Sequence, residues 1–468
     1  MRFKKIIAMI FVIVVTGIIW SQEAERLTVD KAVEYALKYN SSIKNAALDL
    51  ESSGLTKNTV FNQFYPSISA SATLSKMHES TETISGLIPD TTSEVFSGSS
   101  MYDRVIYYEQ EIPLTWMLST SIQANLTLTT QLVSGIKIAF KNYEMGQISL
   151  EKLQRQTERD VRKAFYNLLL SKEQLNIMKE SLNAAEARYK QTEKLYKNGL
   201  VDQQVLLSSR VAWESMKPQI SQLDMAYKMS LSNFKMMLGI ALDKPIELVG
   251  EIKVPSVDIN NINSMEVSFA DRADIKELVG AISMQKLQKE ITMGGMLPML
   301  TFTLTADPSF SGDPFKDSWF EDMDKWSQSS GMFGLTVTLP VDSWLPGSST
   351  WVKLANTERD IKKLRNQLED MLKGAKMSLD SHLLSVKTAM ENLEASNLNL
   401  ELAKTSYNLA EEAYKSGLKD LVAVMDAENT LRQAQFSVLS TKAQILNGLI
   451  DLAYDLNQPI DQFIGGEK

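Results

Sequence analysis

The side chains able to do covalent or metal chemistry are few in this 468-residue chain: there is no cysteine, and the two histidines are His78 and His382. Without a thiol there is no disulfide, no cysteine nucleophile and no thiolate metal site. An acylated N-terminal cysteine, and with it a lipoprotein anchor, is excluded as well. His382 falls on the small-residue side of a helical seam and reads as a packed or pore-facing imidazole, not a ligand. No Gly-rich phosphate loop and no nucleophile–base spacing stands out, so no catalytic residue, cofactor or metal is expected. The abundant Asp and Glu read as a solvated face. What remains is a motif that occurs twice, Tyr189-x6-Tyr196-x2-Gly199-Leu200 and Tyr407-x6-Tyr414-x2-Gly417-Leu418. Its chemistry is hydrogen bonding and helix termination, and it breaks no bonds.

The elements that carry this motif are helices. Val161, Leu168, Leu175, Leu182, Tyr189 and Tyr196 step by seven, and adding 218 to each gives Leu379, Val386, Leu393, Leu400, Tyr407 and Tyr414. A seven-residue apolar repeat keeps one stripe facing a partner helix, the signature of a coiled coil. The residues three further on are mostly small (Ala164, Ser171, Ala185, Thr192; Ala389, Ser396, Ala403, Ala410), which lets neighbouring helices approach closely. Gly199 and Gly417 supply the left-handed residue that ends a helix. A second series then starts in each copy: Leu206, Trp213, Ile220, Tyr227, Phe234 and Val424, Leu431, Val438, Ile445, Leu452. Each half is therefore predicted to hold a helical hairpin, over about 135–240 and 351–456. Pro218 is expected to kink the first returning helix.

A net charge of −8 argues against nucleic acid as a partner. The N-terminus reads as a secretory signal over 1–21, with Arg2, Lys4 and Lys5 before an apolar run from Ile6 to Ile19. No later stretch is apolar enough to cross a bilayer as a helix, so any crossing falls to strands.

The period changes to two at Pro66. Ile68, Ala70, Ala72 and Leu74 alternate with Ser and Thr over a strand at about 66–76, and a second alternating run covers about 119–133. A polar stretch from about His78 to Glu111 lies between them. The second half repeats the plan, with strands at about 298–306 and 332–341 around a loop containing Trp319, Phe320 and Trp326. The opening helices correspond at an offset of 232, as in Ile43 with Ile275 and Pro66 with Pro298. The repeats thus span 22–250 and 266–460, with a linker over 251–265 and a tail over 461–468. Trp344 and Trp351 near the last strand suit a membrane-interface girdle or ordinary turn packing.

Apolar residues alternating with Ser, Thr, Asn and Gln mark strands between lipid and a wet lumen. Four such strands cannot close a barrel, and lipid does not tolerate open edges. Closure then requires several chains, and three would give twelve strands. The expected fold is an α+β membrane protein, a duplicated helix–strand–strand–helical-hairpin unit whose strands join a trimeric twelve-stranded β-barrel continued by a coiled-coil barrel.

At the paired tyrosine–glycine motifs and the Pro66 and Pro298 junctions, the chain resembles the outer-membrane efflux protein family, the TolC-like channels. The resemblance covers almost the whole mature chain. It implies a homotrimer in outer-membrane lipid with most of its mass in the periplasm. It also implies a passive duct for drugs, small molecules or proteins, working with a periplasmic adaptor (membrane fusion protein) and an inner-membrane transporter, in efflux or type I secretion. It implies that Gly199, Leu200, Gly417 and Leu418 form the periplasmic tips where the adaptor docks, and that Asp426, Lys419 and Tyr414 form the pore constriction and gate. Ala423 stands where the family commonly has a second acidic residue, and Val205 where it has the carboxylate answering Tyr414. Asp202 and Asp420 are candidates to substitute for the latter. The alternative functions are a periplasmic coiled-coil adaptor, which would carry compact β-domains instead, and a structural scaffold, for which the strands have no use.

Overall fold

A computed structural model of the protein describes residues 25–76, 81–89, 105–113, 116–255, 269–311, 326–327 and 331–459. The signal segment, the C-terminal tail, His78 and most of the loop holding Trp319 and Phe320 lie outside these. Contacts divide the chain into two units. One holds the described residues up to 55, those of 141–283 and those from 361 on; the other holds those of 56–140 and 284–360. Each sequence repeat contributes to both.

In chain order the strands are β1 Glu25–Leu27, β2 Ser67–Ser75, β3 Thr81–Pro89, β4 Val105–Pro113, β5 Met117–Leu128, β6 Ile246–Leu248, β7 Met299–Ala306, β8 Ser309–Ser311, β9 Trp326–Ser327 and β10 Met332–Thr338. The helices are α1 Val29–Tyr39, α2 Ser41–Thr59, α3 Gln131–Lys197, α4 Gln203–Leu238, α5 Ala273–Gly294, α6 Ser349–Lys415 and α7 Leu421–Asp455.

The first unit is built on the two hairpins, α3 with α4 and α6 with α7. Rungs of both seams meet in one core: Val161, Phe165, Phe234, Val386, Ile445 and Leu449 are all buried. Phe165 and Phe234 tilt together across the first hairpin, centroids 6.3 Å apart. The α4 helix runs through Pro218 without interruption.

The opening segment, whose pattern predicts one amphipathic helix from about Val29 to about Gln63, is broken at Asn40. The Asn40 amide donates to the Met237 carbonyl at 2.7 Å, and its side-chain oxygen accepts from Ser42 N at 2.8 Å to start α2. Gly239 permits this seat: its φ is +71°, and a Cβ there would lie 2.2 Å from the Tyr39 carbonyl oxygen. Beside it β1 pairs with β6 in parallel, Glu25 opposite Ile246 and Leu27 opposite Leu248. Asp455 ends α7 as a buried hub, accepting from Arg272 Nη1 and Ser378 Oγ, both at 3.1 Å. His382 Nδ1 meets the same carboxylate at 2.7 Å. The imidazole is thus packed, bonded to the last turn of α7.

The second unit is a sheet in the order β10-β7-β5-β2, antiparallel throughout, with β8 added to β5 and β9 to β8. Its register sorts the faces. Ala124 lies opposite Leu304, Leu126 opposite Phe302 and Phe302 opposite Leu335; between these, Asn125 faces Thr303 and Thr127 faces Thr301. One face is therefore apolar and the other carries hydroxyls and amides. The apolar face is uncovered in the single chain, with Ile68 72% and Phe333 73% exposed. The polar stretch after β2 contains a further antiparallel hairpin, β3 with β4. Two strands end earlier than the alternation predicts. After β5, Gln131 already opens α3, since Thr130 Oγ1 and Gln131 Nε2 bond the Gly294 and Ile291 carbonyls. After β10, Pro340 has no N–H to give the ladder, and a 3-10 turn follows at Val341–Trp344.

Candidate functional site

The repeated motif folds into two matching tips. At the first, Gly199 has φ +72°, its N–H donates to the Tyr196 carbonyl at 2.9 Å, and Leu200 N–H donates to Leu195 at 2.9 Å. At the second, Gly417 has φ +73°, Gly417 N–H donates to Tyr414 at 3.0 Å and Leu418 N–H to Ala413 at 2.8 Å. This pair of bonds is the Schellman closure, which satisfies carbonyls the helix leaves unpaired. No atom lies within 4 Å of a Cβ built at either glycine, so backbone conformation alone selects glycine there. Leu200 and Leu418 are exposed, 69% and 81%.

The returning helices are capped alike. Asp202 Oδ1 accepts from Val205 N at 2.9 Å, and Asp420 Oδ1 from Ala423 N at 3.0 Å. These are N-cap bonds, so neither aspartate answers Tyr414. The tyrosine hydroxyl instead shares a 3.4 Å hydrogen bond with Thr192 Oγ1, whose own hydroxyl also donates to the Arg188 carbonyl. Lys419 is exposed in the second tip. Asp426 is exposed in α7, which begins at Leu421. That is beyond the first turn, where helix-dipole stabilisation of a carboxylate fades.

A nearly buried ion pair between the hairpins was hidden in the sequence. Arg188 of α3 pairs through Nη2 with Glu428 of α7, and its Nη1 donates to the Tyr407 hydroxyl at 3.3 Å. Arg188 and Glu428 are nearly buried, their side chains 11% and 12% exposed. Burial pushes the Glu428 carboxyl above its ordinary range, and the Arg188 and Arg432 guanidiniums offset this only in part. Burial likewise raises the Tyr407 hydroxyl. Beside the pair lies a polar cleft of about 430 Å3 lined by Ser209, Gln219, Arg432 and Gln433 among others. Nothing in the spacing betrays the pair, because Arg188 and Glu428 are 240 residues apart on helices whose other charges are mostly solvated. Among the described residues, no group of acidic and histidine side chains is arranged to hold a metal ion. Nor is any helix among them long and apolar enough to cross a membrane.

Two hairpins with matching tips, joined to a sheet with one apolar and one hydroxyl face, can be compared with known proteins. The family described as outer membrane efflux protein matches residues 32–239 and 278–457. The chain belongs to the outer membrane efflux protein family. Among solved structures, the outer membrane channel CmeC of Campylobacter jejuni is similar with a TM-score of 0.70 at 16% identity, over 94% of this chain and 87% of CmeC. The outer membrane protein VceC of Vibrio cholerae gives 0.68 at 14%, over 92% and 96%. The open state of the MtrE outer membrane channel of Neisseria gonorrhoeae gives 0.64 at 16%, over 92% and 89%. At such identity these likenesses speak to the fold. No curated protein sequence matches. As a member of the outer membrane efflux protein family the chain is a channel and not an enzyme, sited in the outer membrane with most of its length in the periplasm.

The Arg188–Glu428 pair yields a signed prediction. Arg188→Met strands a buried carboxylate and should loosen the contact between α3 and α7 by about 3–5 kcal/mol at neutral pH. The double variant Arg188→Met/Glu428→Leu should recover most of it. A carboxyl raised on folding contributes stability that is full below its unfolded value and is lost as pH rises through its folded value. The single variant's defect should therefore shrink as pH falls from 7 towards 5. Amide exchange in the tip-side turns of α3 and α7 reads this; single and double variants exchanging alike at pH 7 would contradict it.

Proposed function

We propose that three copies of this chain join edge to edge, β2 of one to β10 of the next, into a twelve-stranded outer-membrane barrel. The barrel serves as the passive exit duct of a tripartite efflux pump or type I secretion system. The observation that carries the reading is the sheet itself. Its outer strands β2 and β10 each bond one neighbour within it, and its uncovered face is apolar. An edge of that kind has to be paired before it can sit in lipid. The antiparallel order β10-β7-β5-β2 means that β10 and the β2 of a next copy run in opposite directions, as a continued ladder requires. Family membership supports a periplasmic adaptor and an inner-membrane transporter as partners. What is exported is decided by the transporter, a separate chain.

In this reading the tips at Gly199–Leu200 and Gly417–Leu418 meet the adaptor, and the exposed leucines are the apolar part of that contact. Asp426 contributes one charge per copy to a ring at the constriction, with Lys419 beside it. The Tyr414–Thr192 and Arg188–Glu428–Tyr407 contacts hold the two hairpins of one copy together in the closed state. They have to part if the second hairpin is to swing away from the first when the gate opens.

Asp426→Ala, which removes three charges from the ring, should weaken block of single-channel current by divalent cations at low salt by about tenfold, the scale of one to two close charge contacts in water. Unchanged block would remove Asp426 from the constriction. Gly417→Val places a β-branched residue at φ +73° and should abolish adaptor-dependent export while trimers persist in the membrane; Gly417→Asn, which tolerates that conformation, should keep most export. Loss of the trimer itself in Gly417→Val would make the tip a folding element and not a docking one.

A further inference from the structure

Where the sheet gives way to helices, the surface opens into an apolar hollow of about 770 Å3, walled by Met293, Leu297, Trp344, Trp351 and Leu354. Packing defects do not reach that size, and small-molecule sites do. Trp344 is fixed as one wall, since its indole N–H donates to the Met296 carbonyl at 3.0 Å. Trp344 and Trp351 remain about half exposed, 54% and 49%.

The place of the hollow says what it faces. The apolar series of β5 runs Ile122, Ala124, Leu126, Leu128, and Thr130, two residues on, lines the hollow. Leu128 lies opposite Leu300, and Met299 opposite Thr338, so the helix-joined ends of β5, β7 and β10 sit together. The hollow therefore continues the apolar face of the sheet at its helix-side rim. In an outer-membrane channel that rim is the level of the periplasmic leaflet.

Its charged groups are balanced. Lys289 Nζ meets Glu358 Oε1 at 2.6 Å, and Lys137 Nζ meets Glu290 Oε2 at 3.0 Å, with Ser134 Oγ also on Glu290. Lys289, Glu290 and Glu358 line the hollow directly. Two cations and two anions sum to zero. A purely anionic headgroup finds partners at the lysines alone, whereas a zwitterion finds a partner for each of its charges.

We propose that this hollow is a phospholipid site: it seats an acyl chain of a zwitterionic aminophospholipid from the periplasmic leaflet. The headgroup lies across the two lysine–glutamate pairs, phosphate towards the lysines and ammonium towards the glutamates. Tryptophan suits such a seat, with an apolar ring and one polar edge. The inference rests on the sheet being embedded in lipid, and the experiment separates the two.

Mature full-length protein is reconstituted into mixed phosphatidylethanolamine and phosphatidylglycerol vesicles in which one lipid or the other carries brominated acyl chains, and tryptophan quenching is compared. Brominated phosphatidylethanolamine should quench more, with a preference of about threefold, the scale that exposed charge pairs support. The excess should vanish in Trp344→Phe/Trp351→Phe. It should also vanish in Ala355→Phe, which fills the hollow, and fall in Glu358→Lys, which makes the rim basic and welcomes an anionic headgroup. Equal quenching by both lipids overturns the site and leaves the embedded sheet standing. An excess that survives Ala355→Phe overturns it too. No quenching by either lipid would overturn the embedding and the site with it.

Discussion

A backbone N–H or C=O in hydrocarbon has no water to bond, and leaving one unpaired there costs several kcal/mol. The sheet of this protein meets that condition along its interior, where β5 and β7 are bonded on both sides, and fails it at β2 and β10. No side chain can repair such an edge. Only another strand does, and in the proposed trimer the neighbouring copy supplies it. On that proposal oligomerisation follows from strand number, and one apolar and one hydroxyl face would make the closed product a wet tube in lipid.

The helical unit solves a different problem with duplicated parts, and its interest lies where the copies diverge. The closing hydrogen bonds of the tips and caps match in length to within about a tenth of an ångström, Asp202 corresponding to Asp420 and Gly199 to Gly417. The contacts between hairpins are not equivalent. At an offset of 218, the counterparts of Arg188 and Glu428 are Ser406 and Arg210, and those of Thr192 and Tyr414 are Ala410 and Tyr196. The reciprocal seam thus has neither a charge pair nor a hydroxyl partner. Tyr189, the counterpart of Tyr407, stacks on Trp213 inside its own hairpin instead, centroids 5.4 Å apart. The two hairpins are built alike, and the Arg188 and Thr192 contacts run from α3 of the first to α6 and α7 of the second.

Much of this was legible because it is periodic. Seven-residue seams, period-two strands and glycines at helix ends are local statements about which face is buried, and the core uses Val161, Val386 and Ile445 as those patterns require. What escaped was non-local or too short to carry a period. The strands β1 and β6 are three residues each and pair across more than two hundred residues. The break at Asn40 depends on the distant Met237 carbonyl, so the segment reads as one helix. Alternation through Thr130 and Leu132 looks like strand, yet bonds to the end of α5 turn the chain into helix at Gln131. Buried ion pairs are the hardest case, since a charge on a helix looks solvated until its partner is placed against it. The hollow beside Trp344 was visible only as two tryptophans near a turn.

The central claim is that the chain is incomplete as a membrane sheet and is completed by copies of itself. The mass of the mature protein extracted from outer membranes in mild detergent, measured by native mass spectrometry, tests this most directly. Three chains per particle is the predicted result. A monomer that stays in solution without detergent would contradict it.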